Sequence, residues 1–163
     1  MASMIETTRA HCLICGYEVD LPADLLGGMS RAPALIAGAV RAAGAPEPGA
    51  WSAAEIAAHL ADVELGLGWR IRQTLAETEP ELEPFDQERW ASALRYAERD
   101  AETSLAAYAA QRAANVEVLS RLSEEEWERR FRHREFGVQG LRVLVRHIAD
   151  HDIEHLRQIE AGA

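Results

Sequence analysis

Apolar residues recur at three- and four-residue steps through four long stretches of this chain, and no stretch alternates apolar with polar over a useful length. That period puts the apolar side chains on one stripe of a helix, and each stripe must be buried against another element. Four such helices in 163 residues predict an all-α fold, a four-helix bundle with chain enough for one hydrophobic core.

The first helix is expected over about residues 21–43, with Leu21, Leu25, Met29, Ala32, Leu35, Ile36, Ala39 and Val40 on its stripe. Pro22 suits a first turn, while Pro33 falls inside and is expected to kink or split the helix. Gly44-Ala-Pro46-Glu-Pro48-Gly49 breaks the pattern. Ser52-Ala-Ala-Glu55 is a capping box that opens a second helix, whose stripe is Ile56, Leu60, Val63, Leu67 and Ile71. After an acidic loop at 79–84 and a short helix at 86–93, a third long helix spans about 97–122. A capped short turn at Ser123 and a loop at 131–137 lead to the last helix, which runs from Val138 or Gln139 to Ile159. Residues 1–20 read as an irregular segment ahead of a single domain at 21–163.

Composition removes several function classes. The net charge of −10 disfavours a phosphate backbone as partner, so no nucleic acid is expected. There is no apolar run near eighteen residues and therefore no expected membrane span, and the first residues lack a secretory pattern, which predicts a cytoplasmic protein. All seventeen basic residues are Arg, so Schiff-base and P-loop lysine chemistry is excluded. Arg129-Arg130-Phe131-Arg132-His133-Arg134 reads as a solvated loop or helix end, with an anion-binding rim as the alternative. Cys12-x-x-Cys15 is half a zinc knuckle without its second half; a redox pair or two ordinary thiols are the other readings.

The chemistry concentrates in histidines. His151 and His155 are one turn apart on the last helix and can reach one ion. On a wheel centred on Leu141, His155 lies about 40° from the stripe centre, His151 about 80° and His147 about 120°. Spacing permits either neighbouring pair, and direction favours His151 with His155. His59 sits about 60° from the centre of the second helix's stripe. Three imidazoles from two facing helices would leave one coordination position open, the layout of a catalytic metal site. A water or thiol in that position would be acidified, which suits attack on an amide or ester carbonyl, or on an electrophile. Three imidazoles suit zinc or nickel among other transition ions. Asp152 projects near the stripe centre, where a carboxylate needs a partner; a hydrogen bond to a ligand imidazole is one reading, and a partly exposed Asp on an incompletely buried stripe is the other. Glu55, Asp62 and Gln158 are further candidates to orient a ligand or move a proton, and Arg70 leans inward as a candidate for binding a substrate carboxylate.

Trp51-Ser-x-x-Glu55-Ile-x-x-His59-Leu-x-Asp62 and Phe136-Gly137-x-x-x-Leu141-x-x-Leu144-x-x-His147-Ile-Ala-Asp-His151-x-x-x-His155-Leu-Arg-Gln158-Ile159 resemble the DinB-like superfamily over about residues 21–160. The resemblance implies an up-down-down-up four-helix bundle with one divalent ion on His59, His151 and His155. It also implies thiol-dependent S-transferases or isomerases using mycothiol or another low-molecular-weight thiol, alongside metal-dependent hydrolases. The expectation is a small-molecule S-transferase, with a hydrolase or a non-catalytic metal-binding stress or interaction protein as alternatives. A homodimer is expected from the apolar strips such bundles expose.

Overall fold

The computed structural model describes residues 6–11 and 18–162, so Cys12 and Cys15 and the readings attached to them lie outside the described residues. The segment expected to be irregular contains two strands, β1 (Thr7–His11) and β2 (Glu18–Pro22), paired antiparallel with Thr7 opposite Pro22. Then come α1 (Leu25–Ala42), α2 (Ala53–Ala76), β3 (Glu81–Leu82), α3 (Gln87–Ala93), a 3-10 turn (Tyr96–Glu98), α4 (Ala101–Leu119), α5 (Glu124–Trp127), β4 (Arg130–His133), β5 (Gly137–Gly140) and α6 (Leu141–Glu160). The loop expected at 131–137 is thus mostly a hairpin: β4 pairs antiparallel with β5 and, across 51 residues of sequence, parallel with β3.

Helix ends follow local chemistry. Asp24, not Pro22, starts α1, its carboxylate accepting from the Gly27 amide at 3.0 Å. The Ser52–Glu55 box forms in full: the Ser52 amide donates to Glu55 Oε2 at 2.8 Å, and the Glu55 amide donates to Ser52 Oγ at 3.2 Å. Arg129 closes the far end of α2 by donating to the carbonyls of Thr74 at 2.8 Å and Glu77 at 2.6 Å.

The four long helices make a bundle in the cyclic order α1, α4, α2, α6. Consecutive helices α1 and α2 therefore lie diagonally, as do α4 and α6. Two apolar clusters fill the interior. One holds Leu67, Ile71, Phe131, Leu141, Leu144 and Val145; the other holds Ile36, Ile56, Leu60, Leu105, Tyr108 and Ile159. Each such side chain contributes about 1.5–3 kcal/mol by leaving water. Close approach of α2 to α4 depends on Gly68, where an added Cβ would stand 2.6 Å from Asn115 Oδ1.

Between the clusters lies a layer that is polar yet buried. Glu64, Arg112, Asn115 and Asp152 are each 1–2% exposed. Arg112 Nη1 donates to Asp152 Oδ2 at 2.5 Å, Nη2 to Glu64 Oε2 at 2.7 Å, and Tyr108 Oη donates to Asp152 Oδ1 at 2.7 Å. Arg112 Nη1 also donates to the Met29 carbonyl at 3.2 Å. That carbonyl is available because Pro33, four residues on, has no N–H to give it. So Pro33 does not split α1 into two helices; α4 supplies the donor that the proline lacks, and one guanidinium touches all four long helices.

Candidate metal centre

His59 enters from the first half of α2, and His151 and His155 from the last half of α6. The register that brings Ile56 and Leu60 under Ile159 in one apolar cluster also turns His59 toward α6. The Nε2 atoms of His59 and His151 stand 3.1 Å apart, as do those of His155 and His151, and one nitrogen from each of the three rings lies within 4.8 Å of both others. Among the described residues no fourth Cys, Asp, Glu or His joins this cluster.

Burial holds the rings neutral. His59 is pushed down to about 3 by desolvation and secondarily by His155. His151 is held well below the ordinary range, and His155 below it, with desolvation the main cause in both. His155 Nδ1 is 2.9 Å from Gln158 Oε1, which can only accept, so the ring proton belongs on Nδ1 and Nε2 carries a lone pair. The Trp51 ring meets His59 edge-on at 5.3 Å and sets its plane.

This donor set fits a divalent cation. His151 Nε2 faces two other Nε2 atoms and carries at most one proton, so these nitrogens cannot all satisfy one another. Tetrahedral bonds from nitrogen to zinc would space neighbouring donors roughly 3.3 Å apart, close to the 3.1 Å observed.

The candidate helpers divide. Gln158 orients His155, as expected. Asp152 does not bond a ligand imidazole: Arg112 and Tyr108 take both its oxygens, because α4 brings a cation to the point where the α6 stripe needs one. Asp62 pairs with Arg99 at 2.8 Å, and Glu55 is engaged by the helix cap. Arg70 donates to the Glu83 carbonyl at 2.5 Å. The basic run is divided too: Arg129 caps α2 and Arg134 pairs with Glu83 at 2.8 Å, so it forms no single anion rim.

His59 and His151 help line a cavity of about 570 Å³ between α2 and α6. The residues around Leu82 and Phe85 and the β4–β5 hairpin wall it, with Phe131, His133 and Phe136. Sequence reasoning missed these walls, since short strands paired over long separations leave little periodic signal.

Residues 41–159 match the family model described as the DinB superfamily. A protein of Oceanobacillus iheyensis named as a putative metal-dependent hydrolase is 29% identical over 111 residues, 68% of this chain and 64% of the relative. A Bacillus cereus protein of the same name is 27% identical with the same coverage, so the chain spans about 64% of the length of these curated relatives. Among solved structures, YfiT from Bacillus subtilis, described as a probable metal-dependent hydrolase with an unusual four-helix bundle topology, superposes with a TM-score of 0.78. It shares 22% identity and the match covers 84% of this chain and 82% of YfiT, a likeness of fold.

Proposed function

The chain belongs to the DinB superfamily, and from that premise we propose that it is a metal-dependent hydrolase of an amide or ester bond in a small molecule. The observation that carries this reading is the convergence of three imidazoles, two buried and one partly buried, beside a cavity that His59 and His151 line. Structural zinc sites are closed by four protein ligands, whereas catalytic ones keep a position for water or substrate. His59, His151 and His155 would hold the ion, zinc or nickel by ligand type. When bound it supplies Lewis acidity to a carbonyl and acidifies a water. Gln158 holds the His155 ring with its lone pair facing the cluster, and Trp51 fixes the His59 ring. Leu144, Ile148 and Phe85 give the cavity an apolar lining, which lowers the local dielectric and strengthens charge interactions beside the site. The hydrolase names of the relatives support the same reading.

A thiol-dependent S-transferase is the second reading, favoured by cavity volume, which leaves room beside the imidazoles for a low-molecular-weight thiol together with an electrophile. The test is elemental analysis of protein loaded with zinc or nickel, followed by a panel of nitrophenyl esters and anilides, with His59→Ala beside the wild type. One equivalent of metal, and turnover lost in the variant, is the expected result. Turnover that requires both a thiol and an electrophile would select the transferase. Tightly held metal without turnover of either kind would leave a non-catalytic metal-binding protein.

A further inference from the structure

The cavity is lined by groups of differing chemistry. His59, Val63, Leu67, Arg70 and Gln73 line it along α2, while Leu144, His147 and His151 line it along α6. Arg70 is eleven residues from His59, about 16 Å along the helix axis. The backbone positions that carry the cluster imidazole and the guanidinium are thus about three turns apart on α2. Between them the walls are apolar and aromatic, with Phe85, Phe131 and Trp90.

Arg70, like Arg72 and Arg129, hydrogen-bonds only neutral acceptors among the described residues, but of these three it alone lines the cavity. Arg99, Arg112, Arg134 and Arg142 each meet a carboxylate within 3 Å. Among the described residues Arg70 meets none, and its one hydrogen bond goes to the Glu83 carbonyl, a neutral acceptor. It is nonetheless only partly exposed, and burial lowers its pKa. A guanidinium withdrawn from water without a counter-charge is costly, and a fork of unused N–H groups matches a carboxylate. Three acids also border the cavity. Glu83 and Glu81 are exposed and drawn to Arg134, at 2.8 and 3.9 Å, and Glu135 is exposed. These carboxylates sit at the rim, whereas Arg70 projects from the helix that forms the wall.

We propose that Arg70 seats a carboxylate in the cavity, about three turns of α2 from His59, so that the substrate class is an elongated apolar or aromatic molecule bearing an anionic group distant from the bond that reacts. This rests on the hydrolase reading for the reacting end only. The seat itself can be tested by binding, without turnover.

The experiment is calorimetric titration of the zinc-loaded protein with 6-phenylhexanoate and with its uncharged primary amide. Wild type, Arg70→Met and Arg70→Lys are compared in the zinc-loaded state and His155→Ala after the same zinc treatment, with thermal melts confirming that each variant folds. The wild type is expected to bind the carboxylate roughly tenfold tighter than the amide. Arg70→Met should lose that preference while binding the amide as before, and Arg70→Lys should keep part of it. Equal binding of the two probes, or no binding of either, would overturn the proposal. So would a preference that Arg70→Met retains; if His155→Ala abolishes it, the anion is held by the imidazole cluster instead. Loss of ester turnover in His59→Ala with an intact carboxylate preference separates the fate of the two readings.

Discussion

Replacing Arg112 by Met tests how the bundle is held together. Met keeps much of the apolar stem and removes the charge and all the donors. Two carboxylates, Glu64 and Asp152, then remain 1–2% exposed without a counter-charge, and the Met29 carbonyl loses its donor. Breaking a buried pair from one side costs about 3–5 kcal/mol. A domain of this size has a total stability of roughly 5–15 kcal/mol, so the variant stays folded but marginal. At about 2–4 °C per kcal/mol, the melting temperature should fall by roughly 6–20 °C. Urea unfolding of metal-free protein at neutral pH gives the free energy, and calorimetry gives the temperature. Adding Glu64→Gln and Asp152→Asn to Arg112→Met removes the stranded charges and should recover more than half of the loss. A single-variant loss below about 1 kcal/mol, or a loss that the neutral triple variant fails to recover, would refute the view that this charge layer is held by mutual compensation.

Other outcomes follow from the same geometry. His59→Ala and His155→Ala should bind less than a tenth of an equivalent of zinc by elemental analysis, while His147→Ala, outside the cluster, keeps about one. Metal-free protein should lose stability as pH falls below about 6.5: the unfolded His59 takes a proton there, while the folded ring resists until about 3. The sign is that of a depressed folded pKa, with stability complete above 6.5 and up to roughly 5 kcal/mol lost by pH 3 from this ring, read as the slope of unfolding free energy against pH. A flat slope between 6.5 and 4.5 would show that the ring is hydrated. Gly68→Ala should destabilise by about 1–3 kcal/mol, since its methyl meets the Asn115 amide that Arg72 and Glu64 hold in place. An unchanged denaturation midpoint would mean that α2 and α4 can separate without loss.

What the sequence could and could not disclose divides along physical lines. The α2 start was legible because a capping box is a local chemical device, complete within four residues. The three histidines were legible because stripe direction depends only on 3.6-residue geometry, and the stripes of α2 and α6 do face each other. Asp152 was correctly marked as a carboxylate needing a partner, yet its partner lay on α4. Arg112 itself sits among Leu105, Tyr108 and Leu119 on the buried face of α4, a charge in an apolar stripe and hence a signal as plain as Asp152. The strands left less trace. β1 is mostly polar and partly exposed, so its alternation carries little hydrophobic contrast. β3 finds β4 only through a fold that brings residues 51 apart together. Pro33 leaves α1 unbroken, and the carbonyl it cannot serve finds a donor on another helix, which no local rule contains.

The wide separation of the ligands along the chain also has a kinetic meaning. His59 and His151 are 92 residues apart, and the segment between them includes the cavity walls, α4 and both strands of the β4–β5 hairpin. Closing so long a loop is expected to follow condensation of the elements within it, which would place the trio late in assembly. His151 and His155 alone, one turn apart, can offer only two nitrogens at any earlier stage. An ion retained through a desalting column would therefore serve as a timer and a proofreading mark, expected only in molecules in which the whole bundle has closed.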